Sequence, residues 1–201
     1  SGTSALALNS GTIRDAVGNN ATLTLASPGA SNSLGGNKAL VVDTTVPTVS
    51  SVTSSTADGT YKVTDAISIQ VTFSEAVVVS GTPQLTLETG GSDAVVDYAS
   101  GSGSTALTFT YTVGNGHTAS DLDYESTSAL ALNSGTIKDA AGNAATLTLA
   151  SPGTSNSLGA NKALVVDTVV DTTVPTVSSV TSSTANGAYN AGDAISIQVN
   201  F

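Results

Sequence analysis

The sequence contains no cysteine, methionine or tryptophan, and only 4% of its residues are aromatic. Without cysteine, the chain forms no disulfide and uses no thiol as nucleophile or metal ligand. Basic residues are also scarce, with five Lys and Arg against fifteen Asp and Glu in 201 residues and a formal net charge of −10. Nucleic-acid binding requires a basic face, so we expect no nucleic-acid partner. The same charge favours divalent cations as partners.

Long apolar runs and catalytic motifs are missing as well. No run approaches the ~20 apolar residues of a membrane span, so we expect no membrane insertion. The sequence has neither a Gly-x-Ser-x-Gly nucleophile elbow nor a Gly-rich phosphate-binding loop that ends in Lys-Ser or Lys-Thr. The one histidine, His117, follows Gly-Asn-Gly, and we expect it to be an exposed loop residue. We therefore predict that the chain is not an enzyme.

The sequence is rich in Thr, Val, Ser, Gly and Ala, a composition typical of strands and turns. Hydrophobic residues make up 39% of the chain, which is enough to build a core, and 10% are charged. Apolar and polar residues alternate in 66–73 and again in 105–113. This period of two indicates antiparallel strands with one buried face. Pairs such as Asp58-Gly59 separate the strands and suit tight turns.

Two near-identical copies of one sequence dominate the chain. Residues 4–43 recur as 128–167, with differences at only five of 40 positions. Residues 43–73 recur as 171–201, and one extra four-residue unit, Thr-Val-Val-Asp at 168–171, accounts for the change in spacing. A repeat of about 124 residues has the size of a domain and is too long for a solenoid unit.

These repeats divide the chain into three parts. We expect the C-terminal half of one module at 1–43, a complete module at 44–167, and a linker with the N-terminal half of the next module at 168–201. The strand and turn signals predict an all-β fold of tandem Ig-like Greek-key β-sandwich modules, with about seven to nine strands in each. Half-modules would expose unpaired strand edges. In a longer fibre we therefore expect neighbouring modules or identical chains to complete the half-modules. In an isolated fragment we expect the half-modules to be disordered or to exchange strands with other chains.

Four short segments together resemble a known group of proteins. They are Asp-Thr-Thr-Val-Pro-Thr at 43–48, Val-Thr-Phe-Ser-Glu-Ala-Val at 71–77, Ile-Lys-Asp-Ala-Ala-Gly-Asn at 137–143 and Ser-Leu-Gly-Ala-Asn-Lys-Ala-Leu-Val-Val-Asp at 157–167. In this order they resemble bacterial Ig-like repeats of giant surface proteins, in particular the SWM-type repeat and the stalk repeats of large secreted adhesins. The resemblance implies an Ig-like sandwich, export to the cell surface, and a role in adhesion, surface motility or matrix.

Three functions are open for such a module. The first is a spacer or stalk of an extracellular bacterial adhesin or surface filament, in which other domains bind the surface ligand. The second is a self-assembling fibre or matrix subunit, whose modules pack against identical chains or exchange strands with them. The third is a glycan-binding module, although the scarcity of aromatic residues argues against stacking on sugars.

Acidic residues concentrate in the turns, and they are candidates for binding a structural calcium ion at the junction between modules. An Ig-like chain path places consecutive strand ends at opposite poles, and stacking two modules brings the poles together. Calcium takes six to eight oxygen ligands, many of them from carboxylates. The alternative is that these residues form ordinary turns and aid solubility. The predicted ligands are Asp43, Glu75 and Asp139 at one pole, Asp121, Asp123, Glu125 and Asp167 at the other, and Asp171 in the linker that follows.

Overall fold

The computed structural model describes residues 2–169 and 173–201. The predicted ligand Asp171 lies outside these described residues. Strands predominate, as the alternating pattern predicted, and neither of the two four-residue helices in the described part is long and apolar enough to cross a membrane. The elements are α1 (Leu34–Asn37), β1 (Val49–Ser54), β2 (Gly59–Tyr61), β3 (Ala66–Ser80), β4 (Gln84–Leu87), β5 (Ala94–Ser100), β6 (Ser104–Thr112), β7 (Thr118–Ala119), β8 (Leu130–Ala131), β9 (Thr136–Lys138), α2 (Leu158–Asn161), β10 (Leu164–Asp167), β11 (Ser179–Ser182) and β12 (Ile197–Asn200).

The long strand β3 is central to the fold and takes part in two sets of pairings. Its first part pairs antiparallel with β1 on one side and with β6 on the other, where Ile69 lies opposite Phe109. The register shifts between Thr72 and Val77, and the second part of β3 pairs with β9. An irregularity of this kind bends a strand and increases its twist, so one strand can serve two sides of a sandwich.

The strands of the large sheet follow the order β1-β3-β6-β5-β4-β8. Strands β4, β5 and β6 are neighbours both along the chain and in space, and β6 returns to lie beside β3. This arrangement is a Greek key, the connection typical of β-sandwiches. Residues 44–167 contain ten strands rather than the predicted seven to nine. The excess arises because β7 and β8 have two residues each and are too short to carry a periodic signal.

The last strand of the sandwich returns to its beginning. Strand β10 pairs in parallel with β2, where Val166 lies opposite Tyr61, and antiparallel with β7. Helix α2 packs beside β1: the N–H of Val52 donates to the carbonyl of Asn156 at 2.9 Å, and the carbonyl of Val52 accepts from Asn161 Nδ2 at 2.8 Å. Residues 128–167 thus close the structure that residues 44–127 begin.

Among the described residues, the buried hydrophobic side chains form one core within this sandwich. The alternating side chains of β3 and β6 make up its centre, where Ile67, Ile69, Leu107 and Phe109 are fully buried. Residues 128–167 contribute a further set of large side chains that are at most 3% exposed. These are Leu130, Ile137, Leu149, Leu158, Leu164 and Val166.

The flanking segments 2–42 and 173–201 lie outside this core. Residues 2–42 contain α1 but no strand, although their sequence is nearly that of 126–166. Residues 173–201 form the hairpin of β11 and β12, whose register is that of β1 with the first part of β3. Both segments expose large hydrophobic side chains. These include Leu6, Leu8, Ile13, Leu25, Leu34, Leu40, Val42, Val174, Val177, Val180, Ile195, Ile197, Val199 and Phe201.

Candidate metal site

Three carboxylates from distant parts of the chain meet at one end of the sandwich. One oxygen from each of Asp43, Glu75 and Asp139 lies within 4.8 Å of the other two. Asp43 precedes the first strand of the sandwich, Glu75 lies in β3 within its register shift, and Asp139 directly follows β9. Because Lys138 of β9 lies opposite Val78 of β3, the pairing of these two strands brings Asp139 towards Glu75.

The side chain of Asp139 is held by its own turn. Its Oδ1 accepts a hydrogen bond from the backbone N–H of Asn143 at 2.8 Å, and its Oδ2 accepts one from Asn143 Nδ2 at 2.7 Å. The same side-chain amide donates to the backbone carbonyl of Asp43 at 3.2 Å. Burial alone would raise the pKa of Asp139, but hydrogen bonds from Asn143, Gly142 and Ala141 outweigh that effect and lower the pKa.

Glu75 differs from Asp43 and Asp139 because no hydrogen-bond donor contacts its carboxylate among the described residues. Its Oε1 is buried and accepts no hydrogen bond from any residue that the structure describes. Burial first, and then repulsion by the charges of Asp43 and Asp139, raises the pKa of Glu75. Within the described ranges the only salt bridge joins Lys162 to Asp58, so no basic side chain there neutralises the group. A cation would satisfy the buried oxygen.

The three carboxylates fit a hard divalent cation. Two oxygens bound to one calcium ion at about 2.3–2.6 Å lie at most about 5 Å apart, and these three oxygens meet that limit. The group consists of carboxylate oxygens, which calcium prefers, and includes no nitrogen or sulfur donor. Asp43 is exposed, so the site is open to solvent.

The remaining predicted ligands do not join a comparable group in the part of the chain that the structure describes. Asp123 is buried and binds backbone N–H groups instead. Its Oδ1 accepts from Tyr124 at 2.9 Å and from Leu158 at 3.2 Å, and its Oδ2 accepts from Gly153 at 2.9 Å. This carboxylate therefore ties the loop before α2 to the segment after β7.

Asp121, Glu125 and Asp167 are exposed. Glu125 accepts a hydrogen bond from the Ser126 hydroxyl at 2.9 Å, and Asp167 accepts one from the backbone N–H of Val169 at 2.9 Å. These two residues engage in local turns. The structure thus brings Asp43, Glu75 and Asp139 together. The other predicted ligands within the described residues lie elsewhere, and they are Asp121, Asp123, Glu125 and Asp167.

His117 is half-buried, not exposed as the sequence predicted. Its Nδ1 lies 2.8 Å from the hydroxyl of Tyr111, and the two rings stack with their centroids 5.9 Å apart. Thr168 Oγ1 donates to the carbonyl of His117 at 2.8 Å and accepts from the N–H of Gly116 at 3.1 Å. These contacts anchor the end of the module, and they join residues too distant in sequence for a local pattern to indicate.

Comparison with known proteins agrees with this architecture. Residues 43–154 match the bacterial Ig-like domain. The chain belongs to the bacterial Ig-like domain family. The resemblance to bacterial Ig-like repeats is thereby confirmed, and so is the all-β, Ig-like fold. No curated protein and no solved structure matches the chain significantly.

Bacterial Ig-like domains are typically non-catalytic structural modules, and they occur in surface and extracellular bacterial proteins. The candidate site has a specific place in the bacterial Ig-like domain. Asp43 is the first residue of the matched range, whereas Glu75 and Asp139 lie inside it. A cation bound here would fasten the start of the domain to β3 and to the turn after β9.

Proposed function

We propose that this bacterial Ig-like module is a structural spacer in the stalk of an extracellular bacterial adhesin or surface filament. One observation carries the proposal: the chain arrives at the sandwich at one end and leaves it at the other. Asp43, the last residue before the module, lies against Glu75. Thr168, the first residue after the module, is hydrogen-bonded to Gly116 and His117.

Strand β3 gives the separation between these two ends. Its first residue, Ala66, lies opposite Thr112 of β6, and the loop that follows β6 carries Gly116 and His117. Glu75 lies nine residues further along β3. Since a strand rises about 3.3 Å per residue, the two ends of the module are roughly 30 Å apart. Each module in a tandem array would therefore add its long axis to the total length.

The repeated sequence supports the same role. Residues 4–43 and 128–167 differ at five of 40 positions, and all five are exposed in the complete module. The copies thus share every buried residue, and none of their differences creates a binding or catalytic site that the other copy lacks. This pattern is expected of a protein whose function depends on the number of its modules. Pro47 restricts the backbone just before β1, which favours a stiff connection over a loose one.

We also propose that Asp43, Glu75 and Asp139 hold a structural calcium ion. Two features support this: the three oxygens lie within 4.8 Å of one another, and Glu75 Oε1 is buried without a donor among the described residues. Bound calcium would restrain the chain just before the module against β3 and the turn after β9. The ion would thereby reduce the freedom of one module to swing relative to its neighbour.

The spacer role is tested by the length of arrays that contain one, two and four copies of residues 44–171. Small-angle X-ray scattering measures the maximum dimension of each array, and ultracentrifugation measures its mass. A spacer gives monomers whose maximum dimension rises in equal steps of roughly 30–40 Å per copy. A dimension that rises only with the cube root of the mass would show compact packing and contradict the proposal.

Calcium binding is tested by thermal unfolding of the whole chain in EDTA and in increasing calcium. A ligand that binds only the folded state raises the unfolding midpoint as its concentration rises. Magnesium at the same ionic strength is the control, because it demands a tighter octahedral geometry. An unchanged midpoint at about 10 mM calcium, above the weakest affinities of extracellular calcium modules, would exclude the site and leave the spacer role standing.

A further inference from the structure

The loop that connects β6 to β7 lies at the end of the module where the chain leaves it. Residues 114–117, Gly-Asn-Gly-His, form a turn in this loop, and the N–H of His117 donates to the carbonyl of Gly114 at 3.3 Å. Gly116 has a φ of 84°, which the third position of a type II turn requires. The side chain of Asn115 is exposed and forms no hydrogen bond with any described residue.

This turn is held from two sides. Thr168, the first residue after the module, accepts a hydrogen bond from the N–H of Gly116 at 3.1 Å and donates to the carbonyl of His117 at 2.8 Å. On the other side, the N–H of Gly114 donates to His117 Nδ1 at 3.2 Å. The His117 ring lies so close to Gly114 that a Cβ on that residue would be 2.7 Å from the ring. The turn is therefore fixed by its own histidine and by the residue at which the chain leaves the module.

Asparagine followed by glycine is a reactive pair, because the backbone nitrogen of the second residue attacks the side chain of the first. Glycine has no Cβ to hinder that nitrogen. A bond forms between the Gly116 nitrogen and Asn115 Cγ, the nitrogen gives its proton to water, and the side-chain amide leaves as ammonia. Water then opens the five-membered succinimide ring and yields aspartate or isoaspartate. The reaction consumes one water and releases one ammonia, and nothing is oxidised or reduced.

We propose that Asn115 is a site of spontaneous modification, at which the chain converts asparagine to isoaspartate, and that Thr168 controls the rate. The N–H of Gly116 is directed at Thr168 Oγ1, so the attacking nitrogen is engaged as a donor in the closed turn. Attack requires this N–H to leave Thr168, to face Asn115 Cγ and to lose its proton. The reaction therefore proceeds from an opened turn, and its rate follows the population of that local opening.

The product would prevent the turn from closing again. Isoaspartate continues the chain through Cγ, so it inserts one methylene group into the backbone directly before Gly116. The turn between Gly114 and His117 is then too long for its hydrogen bond, and Gly116 shifts away from Thr168. The product also adds a negative charge to a loop whose His117 lines the same cleft as Asp93 and Asp97. Modification would thus loosen the attachment of the chain where it leaves the module.

The chain contains a reference for the unrestrained reaction. Its second Asn-Gly pair is Asn186 and Gly187, and the N–H of Gly187 donates to no described residue. Asn186 therefore reports the rate of the same chemistry without a hydroxyl that holds the nitrogen. The inference goes beyond the spacer role and does not depend on it, since the reaction needs only the turn and Thr168.

The test follows both sites while the whole folded chain is kept at neutral pH and body temperature for several weeks. Cleavage after lysine places Asn115 in the peptide 63–138 and Asn186 in the peptide 163–201. Mass spectrometry measures the conversion of each, and isoaspartyl methyltransferase identifies isoaspartate. Because one hydrogen bond restrains Gly116, we expect Asn186 to convert about two- to tenfold faster than Asn115. In urea, where the chain is unfolded, the two rates should converge. Conversion of Asn115 as fast as Asn186 in the folded chain would reject control by Thr168.

Substitutions of Thr168 test the control directly. Thr168→Val keeps the shape of the side chain but removes the hydroxyl, so it should raise the rate at Asn115 towards that at Asn186. Thr168→Ser retains a hydroxyl and should keep the rate low. Thr60→Val is the matched control, because Thr60 is exposed in β2 and should leave both rates unchanged. Absence of isoaspartate at Asn115 in Thr168→Val, while Asn186 converts, would overturn the site itself.

Amide hydrogen exchange of Gly116, followed by NMR, tests the consequence of the reaction. Asn115→Asp is the control, because it adds the charge of the product without lengthening the backbone. We expect the N–H of Gly116 to exchange faster in the isoaspartate form than in Asn115→Asp or in the unmodified chain. Equal exchange in all three would show that the attachment of Thr168 survives the reaction and would reject the loosening. Neither result bears on the spacer role, which is measured by the length of arrays.

Discussion

Leu34 and Leu158 are counterparts in two copies of one repeated sequence, yet Leu34 is 70% exposed and Leu158 is fully buried. Each begins a four-residue helix, and in both helices the preceding serine caps the N-terminus. The helix is therefore determined by its local sequence. Burial requires a partner surface, and of the two leucines only Leu158 packs in the core that β1 and the other strands within residues 44–127 help to form.

Replacing each leucine by alanine separates these two effects. We expect Leu158→Ala to lower the free energy of unfolding by about 2–5 kcal/mol, because it leaves a cavity in the core. Leu34→Ala is the matched control, and it should change the free energy by no more than about 0.5 kcal/mol in dilute, monomeric protein. Urea unfolding followed by circular dichroism measures both. Equal losses from the two variants would contradict the exposed position of Leu34.

The sequence indicates the central strands but not how the sandwich closes. Alternation in Ala66–Phe73 is a direct result of burial on one face, so β3 was predictable. The parallel pairing of β10 with β2 joins Val166 to Tyr61, which are far apart in the chain. Nothing within either strand specifies that partner, and the exposed counterpart of β10 at residues 40–43 forms no strand at all.

The candidate site could also be predicted only in part, because the sequence indicates the order of the strands but not the contacts between distant loops. The alternating chain path was sufficient to place Asp43, Glu75 and Asp139 at one pole, where the structure brings them together. It also suggested Asp123 as a ligand, but this carboxylate accepts three backbone N–H groups. That outcome depends on the loop before α2 folding against Asp123, and no local pattern reports such a contact.

Glu75→Gln should stabilise the calcium-free protein at neutral pH. The pKa of Glu75 is raised in the folded state, so the folded state binds this proton more tightly than the unfolded state. The resulting stability is complete below the ordinary pKa of 4.5 and is lost as pH rises through the folded pKa. Glutamine stays neutral, so the advantage of the variant grows over that interval. Thermal unfolding in EDTA from about pH 4 to about pH 8 measures it.

The same variant also tests the calcium proposal, because it should weaken the stabilisation by calcium although it stabilises the calcium-free protein. Glu75→Gln removes one of three carboxylates, so it should abolish most of the rise in midpoint that calcium produces. Glu125→Gln is the matched control, since Glu125 is exposed and its carboxylate accepts a hydrogen bond only from the Ser126 hydroxyl among the residues described. It should leave the calcium response unchanged. A full calcium response in Glu75→Gln would place the ion elsewhere.

Asp123→Asn should destabilise the module without involving any metal. One carboxylate oxygen becomes an amide that cannot accept, so at least one N–H of the set formed by Tyr124, Gly153 and Leu158 loses its partner. An unsatisfied buried donor costs about 1–3 kcal/mol. Asp121→Asn, at an exposed neighbour, should stay within about 0.5 kcal/mol. If both variants behave alike in urea unfolding, Asp123 does not hold the loop.

Asp139→Asn should lower stability at neutral pH and lose that effect in acid. Hydrogen bonds from Asn143 outweigh burial and lower the pKa of Asp139, so its stabilising contribution is present above its ordinary pKa of 3.8 and disappears as pH falls through the folded pKa. Asp15→Asn is the control, because hydrogen bonds from Asn19 also lower the pKa of Asp15, but in a segment outside the core. We expect only Asp139→Asn to shift the unfolding midpoint of the module and to flatten its acid dependence. A similar shift from Asp15→Asn would mean that the first segment unfolds together with the module.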